Sequence, residues 1–161
     1  NELIGEFLEL SRGLEKEDKQ PTDIGRLLRE LVDDAQRGGA DVDCETADPC
    51  VSHIRPVALR RVLCNLVENA VRYSDGRHVS VRHEYTGGRA IISVLDRGPG
   101  IPPDQREAVF RPFHRIEQSR SSATGGSGLG LAIARQLADA NGWQIELLPR
   151  QGGGTEARVT V

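Results

Sequence analysis

The sequence contains no methionine, not even an initiator. Its last residue, Val161, stands in an alternating, strand-like run, so the chain reads as a piece cut from something longer. Cysteine is scarce. Cys44, Cys50 and Cys64 are odd in number and share no C-x-x-C spacing, which speaks against a metal knuckle and a disulfide framework. They read as reduced, inert thiols of a reducing compartment; the alternative is a pair between Cys44 and Cys50 across the turn at Asp48-Pro49. No stretch approaches the roughly 18 apolar residues that span a bilayer, and no basic-then-apolar leader opens the chain. As it stands the chain is expected to be soluble. An excess of one charge is also lacking: 21 Lys and Arg against 24 Asp and Glu leave a net charge of −3, which disfavours a nucleic-acid-coating role.

What is present suffices for one core. A chain of 161 residues, 37% hydrophobic and 28% charged, has the size and apolar content of a single folded domain. Disorder and a collagen-like repeat are disfavoured by the same composition.

Leu3, Phe7, Leu10 and Leu14 are spaced like the seam of a coiled coil. Two heptads are too short to stand alone, so residues 1–14 predict either a bundle or dimerisation helix, or a helix folded onto its own domain. The polar run over residues 15–21 reads as a linker. From Asp23, Ile24, Leu27, Leu28, Leu31, Val32 and Ala35 follow a helical period that Gly38-Gly39 ends. Short strands are expected at Val42–Glu45 and Val51–Ile54, and a helix from Pro56 to about Tyr73. Two β-rich runs, Val79–Tyr85 and Ala90–Leu95, flank the hairpin signal Thr86-Gly87-Gly88. Asp96 to Ser127 is a long loop with room for a short helix near Asp104–Val109; Leu129–Asn141 is helical, and strands near Trp143–Leu148 and Glu156–Val161 close the chain. Hairpins with helices inserted between them predict an α+β two-layer sandwich, with a mixed, mostly antiparallel sheet and its helices on one face.

Three segments carry chemistry. On the helix from Pro56, Asn65, Asn69, Arg72 and Tyr73 form a polar edge beside the apolar stripe. Two Asn at i and i+4 offer neutral oxygens that can complete a Mg²⁺ shell whose other ligands are phosphates and water; an exposed polar edge explains the same pattern. The strand Ala90–Leu95 runs into Asp96-Arg97-Gly98-Pro99-Gly100, a carboxylate before a sharp turn, suited to accept from a base amine, or an ordinary turn. Finally Gly126-Ser127-Gly128-Leu129-Gly130-Leu131 runs into a helix, where backbone N–H groups and bare glycines admit anions. This is no Walker loop, since no Lys follows, and no dinucleotide fingerprint, since Leu131 stands where a third glycine belongs.

The order of these segments, with Phe110-Arg111-Pro112-Phe113 between the last two, resembles the ATP-binding catalytic domain of sensor histidine kinases, within the gyrase, Hsp90 and MutL type of ATPases. Residues 65–73 resemble the N-box, 96–100 and 126–131 two glycine boxes, and 110–113 the F-box; the nearest subgroup looks EnvZ-like. The resemblance covers residues 22–161 and implies a Bergerat-type fold, with an ATP lid over about 101–127. Residues 1–14 are similar to the end of the dimerisation and phosphoacceptor hairpin.

The resemblance implies roles. Asn69 would hold Mg²⁺ with Asn65 beside it, Tyr73 would stack on adenine, and Asp96 would take its exocyclic amine. Gly98 and Gly100 would shape the pocket, and Gly126, Gly128, Leu129 and Gly130 would admit the phosphates. Arg72 and Arg115 would reach the phosphates, with Thr155 near the adenine. Departures stand at Arg97 and His114, where small polar and aromatic residues are common. Where the hydrolysing relatives carry a water-activating Glu four residues before the metal Asn, this chain has Asn65, which cannot act as a base; phosphoryl transfer is favoured over hydrolysis.

The implied function is a protein-histidine kinase that binds ATP and Mg²⁺ and phosphorylates a histidine on a hairpin missing here, for relay to a response regulator. The longer protein would be a homodimeric bacterial inner-membrane sensor with this domain in the cytoplasm and no nucleic-acid partner. His53, within Ser52-His53-Ile54-Arg55-Pro56, has only a superficial likeness to the acceptor context and reads as a strand residue. This chain alone is therefore expected not to phosphorylate itself. The alternatives are a serine-directed anti-sigma kinase of the same fold and a catalytically silent ATP-binding module.

Overall fold

The computed structural model describes residues 16–47, 49, 51–116 and 128–161, with Gly5 and Arg12. The seam residues Leu3, Phe7, Leu10 and Leu14, and Cys50, Gly126 and residues 117–127 of the expected lid, lie outside the described residues.

The first described strand, β1 (Gln20–Asp23), leads directly into α1 (Ile24–Arg37). Asp23 caps this helix, its Oδ1 accepting from the Arg26 N–H at 3.1 Å. Ile24, Leu27, Leu28, Leu31 and Val32 are buried along one face, and Gly39, at φ 94°, takes the left-handed turn that ends it. Strands β2 (Val42–Glu45) and β3 (Val51–Ile54) follow. Helix α2 (Pro56–Tyr73) begins with a proline at its first position, where no N–H is needed.

Strands β4 (Val79–Thr86) and β5 (Arg89–Leu95) form a hairpin whose two loop residues, Gly87 and Gly88, both have positive φ, matching the right-handed twist of the strands. Helix α3 (Gly130–Ala140) and strands β6 (Gln144–Pro149) and β7 (Thr155–Thr160) complete the chain. Five strands form one sheet in the order β2-β4-β5-β7-β6, with β2 parallel to β4 and all other pairs antiparallel. On its inner face Val79, Val81, Ile92, Val94, Ala157, Val159, Ile145 and Leu147 are buried against the apolar faces of the three helices. This is the two-layer α+β sandwich with a mixed, mostly antiparallel sheet that the pattern predicts.

Two expectations need correction. Residues 15–21 are not simply a linker: Gln20 and Pro21 pair with Ile54 and His53 in a two-stranded antiparallel sheet of β1 and β3. Its four residues carry no hydrophobic alternation, because both sides are at least partly exposed and the strand is held by backbone pairing rather than by a buried face. Glu17, just before β1, accepts at Oε1 from the Val57 N–H (2.8 Å) and at Oε2 from the Ala58 N–H (3.1 Å), satisfying donors of the first turn of α2 from 40 residues upstream. The expected helix at Asp104–Val109 is two short 3-10 turns, Pro103–Gln105 and Ala108–Phe110, of which only the second buries side chains, Val109 and Phe110. One turn of buried surface does not nucleate an α-helix.

Cys44 and Cys64 are free thiols. Burial pushes the Cys44 thiol up to about 11 and raises that of Cys64, so both are inert at neutral pH.

Candidate functional site

A cavity of about 790 Å³ opens between α2, the ends of β5 and β7, the loop after Asp96 and the start of α3. Asn65, Asn69, Arg72, Tyr73, Asp96, Gly98, Gly100, Arg115, Gly128, Leu129, Gly130 and Thr155 all line it. Every predicted site residue within the described chain thus borders one space; Gly126 lies outside.

Helix α2 forms one wall. At about 100° per residue, Asn65, Asn69, Arg72 and Tyr73 fall within an arc of about 100° that adjoins the stripe of Leu59, Val62, Leu63, Leu66 and Ala70 sitting in the core. Asn65 is 8% exposed and its Nδ2 has no partner among the described residues. A buried amide left so costs about 1–3 kcal/mol unless a ligand or water takes its N–H. Asn69 and Tyr73 are half-buried and Arg72 is exposed.

Asp96 marks one end. Pairing of Leu95 with Glu156 brings the ends of β5 and β7 together, and the Asp96 N–H donates to the Thr155 carbonyl at 2.9 Å. In return its Oδ1 accepts from the N–H groups of Gly98 (2.9 Å) and Thr155 (3.1 Å). Its Oδ2 accepts nothing among the described residues. Burial raises the carboxyl above its ordinary range, and those two N–H groups and Arg150 oppose the shift. The turn needs glycine: a Cβ on Gly98 would run into the Tyr73 carbonyl, and one on Gly154, whose φ is 104°, into the Asp96 carbonyl.

The other end is built from glycines. Gly128 has φ 76°, and a Cβ there would stand 2.9 Å from Phe113 Cα. Its carbonyl accepts from the Phe113 N–H at 2.9 Å, and Phe113 is itself strained to φ 64°. Gly130 leaves the start of α3 open toward Asn65, whose Oδ1 would lie 3.7 Å from a Cβ at that position. The two phenylalanines of the F-x-x-F run differ in role. Phe110 is buried with the Arg135 guanidinium 3.9 Å over its ring, whereas Phe113 is 42% exposed. His114, a departure from the aromatic common at this place in the resembled family, pairs its Nε2 with Gln105 Oε1 at 2.8 Å.

Sequence reasoning did not name Arg61 or Arg77, which also line the cavity. For Arg61 a signal existed, since it stands four residues before Asn65, at the same spacing that singled out Asn69. Arg77 follows the end of α2, where no periodicity points, and donates to the Arg97 carbonyl at 3.1 Å.

A two-layer sandwich with a deep helix-side cavity, a buried carboxylate at one end and a glycine-rich helix start at the other is an ATP-binding domain of the α+β type. The chain belongs to the histidine kinase-, DNA gyrase B- and HSP90-like ATPases, whose family model matches residues 54–161, and its relatives there are sensor histidine kinases. The sensor protein CutS of Streptomyces coelicolor is 35% identical over 150 residues, which are 89% of this chain and 36% of CutS. The chain thus spans about a third of that relative's length. The mycobacterial sensor histidine kinase MprB superposes with a TM-score of 0.75 at 29% identity, covering 89% of this chain and 96% of that one. The histidine kinase domain of the E. coli osmosensor EnvZ follows with a TM-score of 0.67 at 29% identity, over 88% and 87% of the two chains.

Proposed function

We propose that this domain binds ATP with Mg²⁺ and transfers the terminal phosphoryl group to a histidine on a dimerisation hairpin. The observation that carries this reading is the convergence on one cavity of a buried carboxylate, two Asn at helical spacing and an open glycine-rich helix start. The free Oδ2 of Asp96 is an acceptor for an adenine amine, and Tyr73, whose carbonyl packs on Gly98 beside it, lines the same cavity. At the far end the orphaned Asn65 Nδ2 supplies the N–H that a phosphate oxygen needs, and the bare Gly128 and Gly130 let phosphates approach the backbone.

Asn69, half-buried between these ends, fits a cation through its side-chain oxygen. The described residues bring together no group of three His, Cys, Asp or Glu, so in this reading the other ligands are phosphate oxygens and water. When bound, Mg²⁺ neutralises phosphate charge and orients the terminal group for in-line transfer. Arg72 and Arg115 add positive charge along the same path. Asn65, standing where the hydrolysing relatives carry Glu, cannot draw a proton from water, which favours transfer over hydrolysis.

The longer protein is read as a homodimeric membrane-bound sensor that passes the phosphoryl group to a response regulator. Among the described residues no helix is long and apolar enough to cross a membrane. Titration with a non-hydrolysable ATP analogue, with and without Mg²⁺, tests the reading. The wild type should bind more tightly with the cation, and Asn69→Ala should abolish that gain. An Asn69→Ala variant that keeps its full Mg²⁺ dependence overturns the metal assignment, and label on a histidine of this chain itself overturns the need for an external hairpin.

A further inference from the structure

Arg61 lies on the cavity wall formed by α2 but has no assigned role. It stands four residues before Asn65, which displaces it about 6 Å along the helix axis and about 40° around it. It therefore continues the line of Tyr73, Asn69 and Asn65. The two ends of that line are fixed by contacts: Tyr73 packs its carbonyl on Gly98 beside Asp96, while Asn65 lies at Gly130. Arg61 is one turn further on, past the glycine end.

Its side chain is exposed and lines the cavity, and no ion pair holds it among the described residues. The neighbouring Arg60 differs in both respects. It is paired with Asp34 and does not line the cavity. Glu68, two turns on, borders the same space as Arg61. A cation that faces a cavity and is held by no ion pair among the described residues is available to an anion.

We propose that Arg61 is a specificity residue that recognises the terminal phosphate, so that the site distinguishes nucleoside triphosphate from diphosphate. The inference rests on reading the cavity as a nucleotide site with its base at Asp96. A ligand laid from Asp96 toward Gly130 carries only its last phosphate into reach of Arg61. A diphosphate ends one group short. Because Arg61 is exposed, the contact is of the surface kind, worth up to about fivefold in affinity and weakened by salt.

The test measures dissociation constants of ADP and of a non-hydrolysable ATP analogue at fixed Mg²⁺, for wild type, Arg61→Ala, Arg61→Lys and Arg60→Ala. Arg61→Ala should weaken the triphosphate analogue about three- to fivefold and ADP less than about twofold, with the difference shrinking at high salt. Arg61→Lys should retain most of the discrimination, and Arg60→Ala should leave the ratio at the wild-type value. Unchanged or equal losses for both ligands in Arg61→Ala overturn the proposal, as does the same selective loss in Arg60→Ala, which would reduce the effect to net charge. ADP binding reports that each variant is folded. Failure of the wild type to bind either nucleotide would sink the nucleotide reading itself, a result distinct from all of these.

Discussion

Replacing Asp96 by Asn should separate what this residue does for binding from what it does for folding. Its Oδ1 accepts two backbone N–H groups, from Gly98 and Thr155. An amide oxygen in the same rotamer accepts both, so the turn joining β5 to β7 survives. Burial meanwhile raises the Asp96 carboxyl above its ordinary value of 3.8. An acid whose folded pKa is raised contributes stability that is fully present below its unfolded pKa and lost as pH rises through the folded one. At pH 7 the native state therefore bears a cost that the amide does not, and Asp96→Asn should melt within about 1 kcal/mol of wild type, at or above it.

Asp96→Ala behaves otherwise. It strands the N–H of buried Thr155 and that of half-buried Gly98, at about 1–3 kcal/mol each, so a loss of about 3 kcal/mol and about 6–12 °C is expected. For binding, the Asn variant turns Oδ2, the acceptor proposed for the base, into a donor. Losing a charge-assisted bond of about 1.5–3 kcal/mol weakens the ATP analogue about 10- to 150-fold. Calorimetric melting at pH 7 and titration of the same samples read both effects. An Asn variant that melts as low as the Ala variant would show that the turn depends on charge, and one that binds with wild-type affinity would show that Asp96 does not meet the base.

Two further outcomes follow from groups outside the cavity. Glu17→Ala removes the acceptor for two first-turn N–H groups of α2, which has no side-chain cap of its own, and should lower stability by about 1–2 kcal/mol in thermal or urea unfolding; Glu17→Gln should restore part of it, and no loss in the Ala variant would mean that water serves those donors equally well. His83 is 3% exposed on β4 with neither ring nitrogen partnered among the described residues, and burial lowers its pKa against the pull of Asp23. A base with a lowered folded pKa gives stability that is present above its unfolded pKa, near 6.5, and lost as pH falls toward the folded value. His78, raised by Asp41 and Asp43, works in the opposite sense, so the comparison with His83→Leu isolates His83. That variant should lose less stability than wild type between pH 7.5 and 5.5 in thermal melts, and parallel curves would refute the assignment.

The helices and the central hairpin were legible because one side of each meets a core. Leu27, Leu28, Leu31 and Val32 on α1, and Leu59, Val62, Leu63 and Leu66 on α2, write that side into the sequence as a period. Strand β1 was not legible, since Gln20-Pro21-Thr22-Asp23 pairs by backbone alone. The cavity residues could be named because their order along the chain resembles a family. The contacts that make them one site have no local signature: the Thr155 N–H on Asp96 spans 59 residues, and the bare face of Gly98 is set by the Tyr73 carbonyl. Arg61 shows the limit from the other side, for its spacing was visible but its exposure to the cavity was not.

The long-range bonds also explain how segments with little core of their own are held in register with the site. Arg55, the residue before α2, donates from Nε to the Glu17 carbonyl at 2.7 Å and from a terminal nitrogen to Asn141 Oδ1 at 2.9 Å. Asn141 in turn donates from Nδ2 to the Leu137 carbonyl at the end of α3. The chain entering at Glu17, the start of α2 and the end of α3 thus share one node of side-chain bonds. Since α2 carries Asn65 and Asn69 and α3 begins at Gly130, a displacement of residue 17 bears on the two helices that face each other across the cavity. A flexible joint over residues 17–21 would leave those helices indifferent to its position; one bonded at Glu17 and paired along β1 does not.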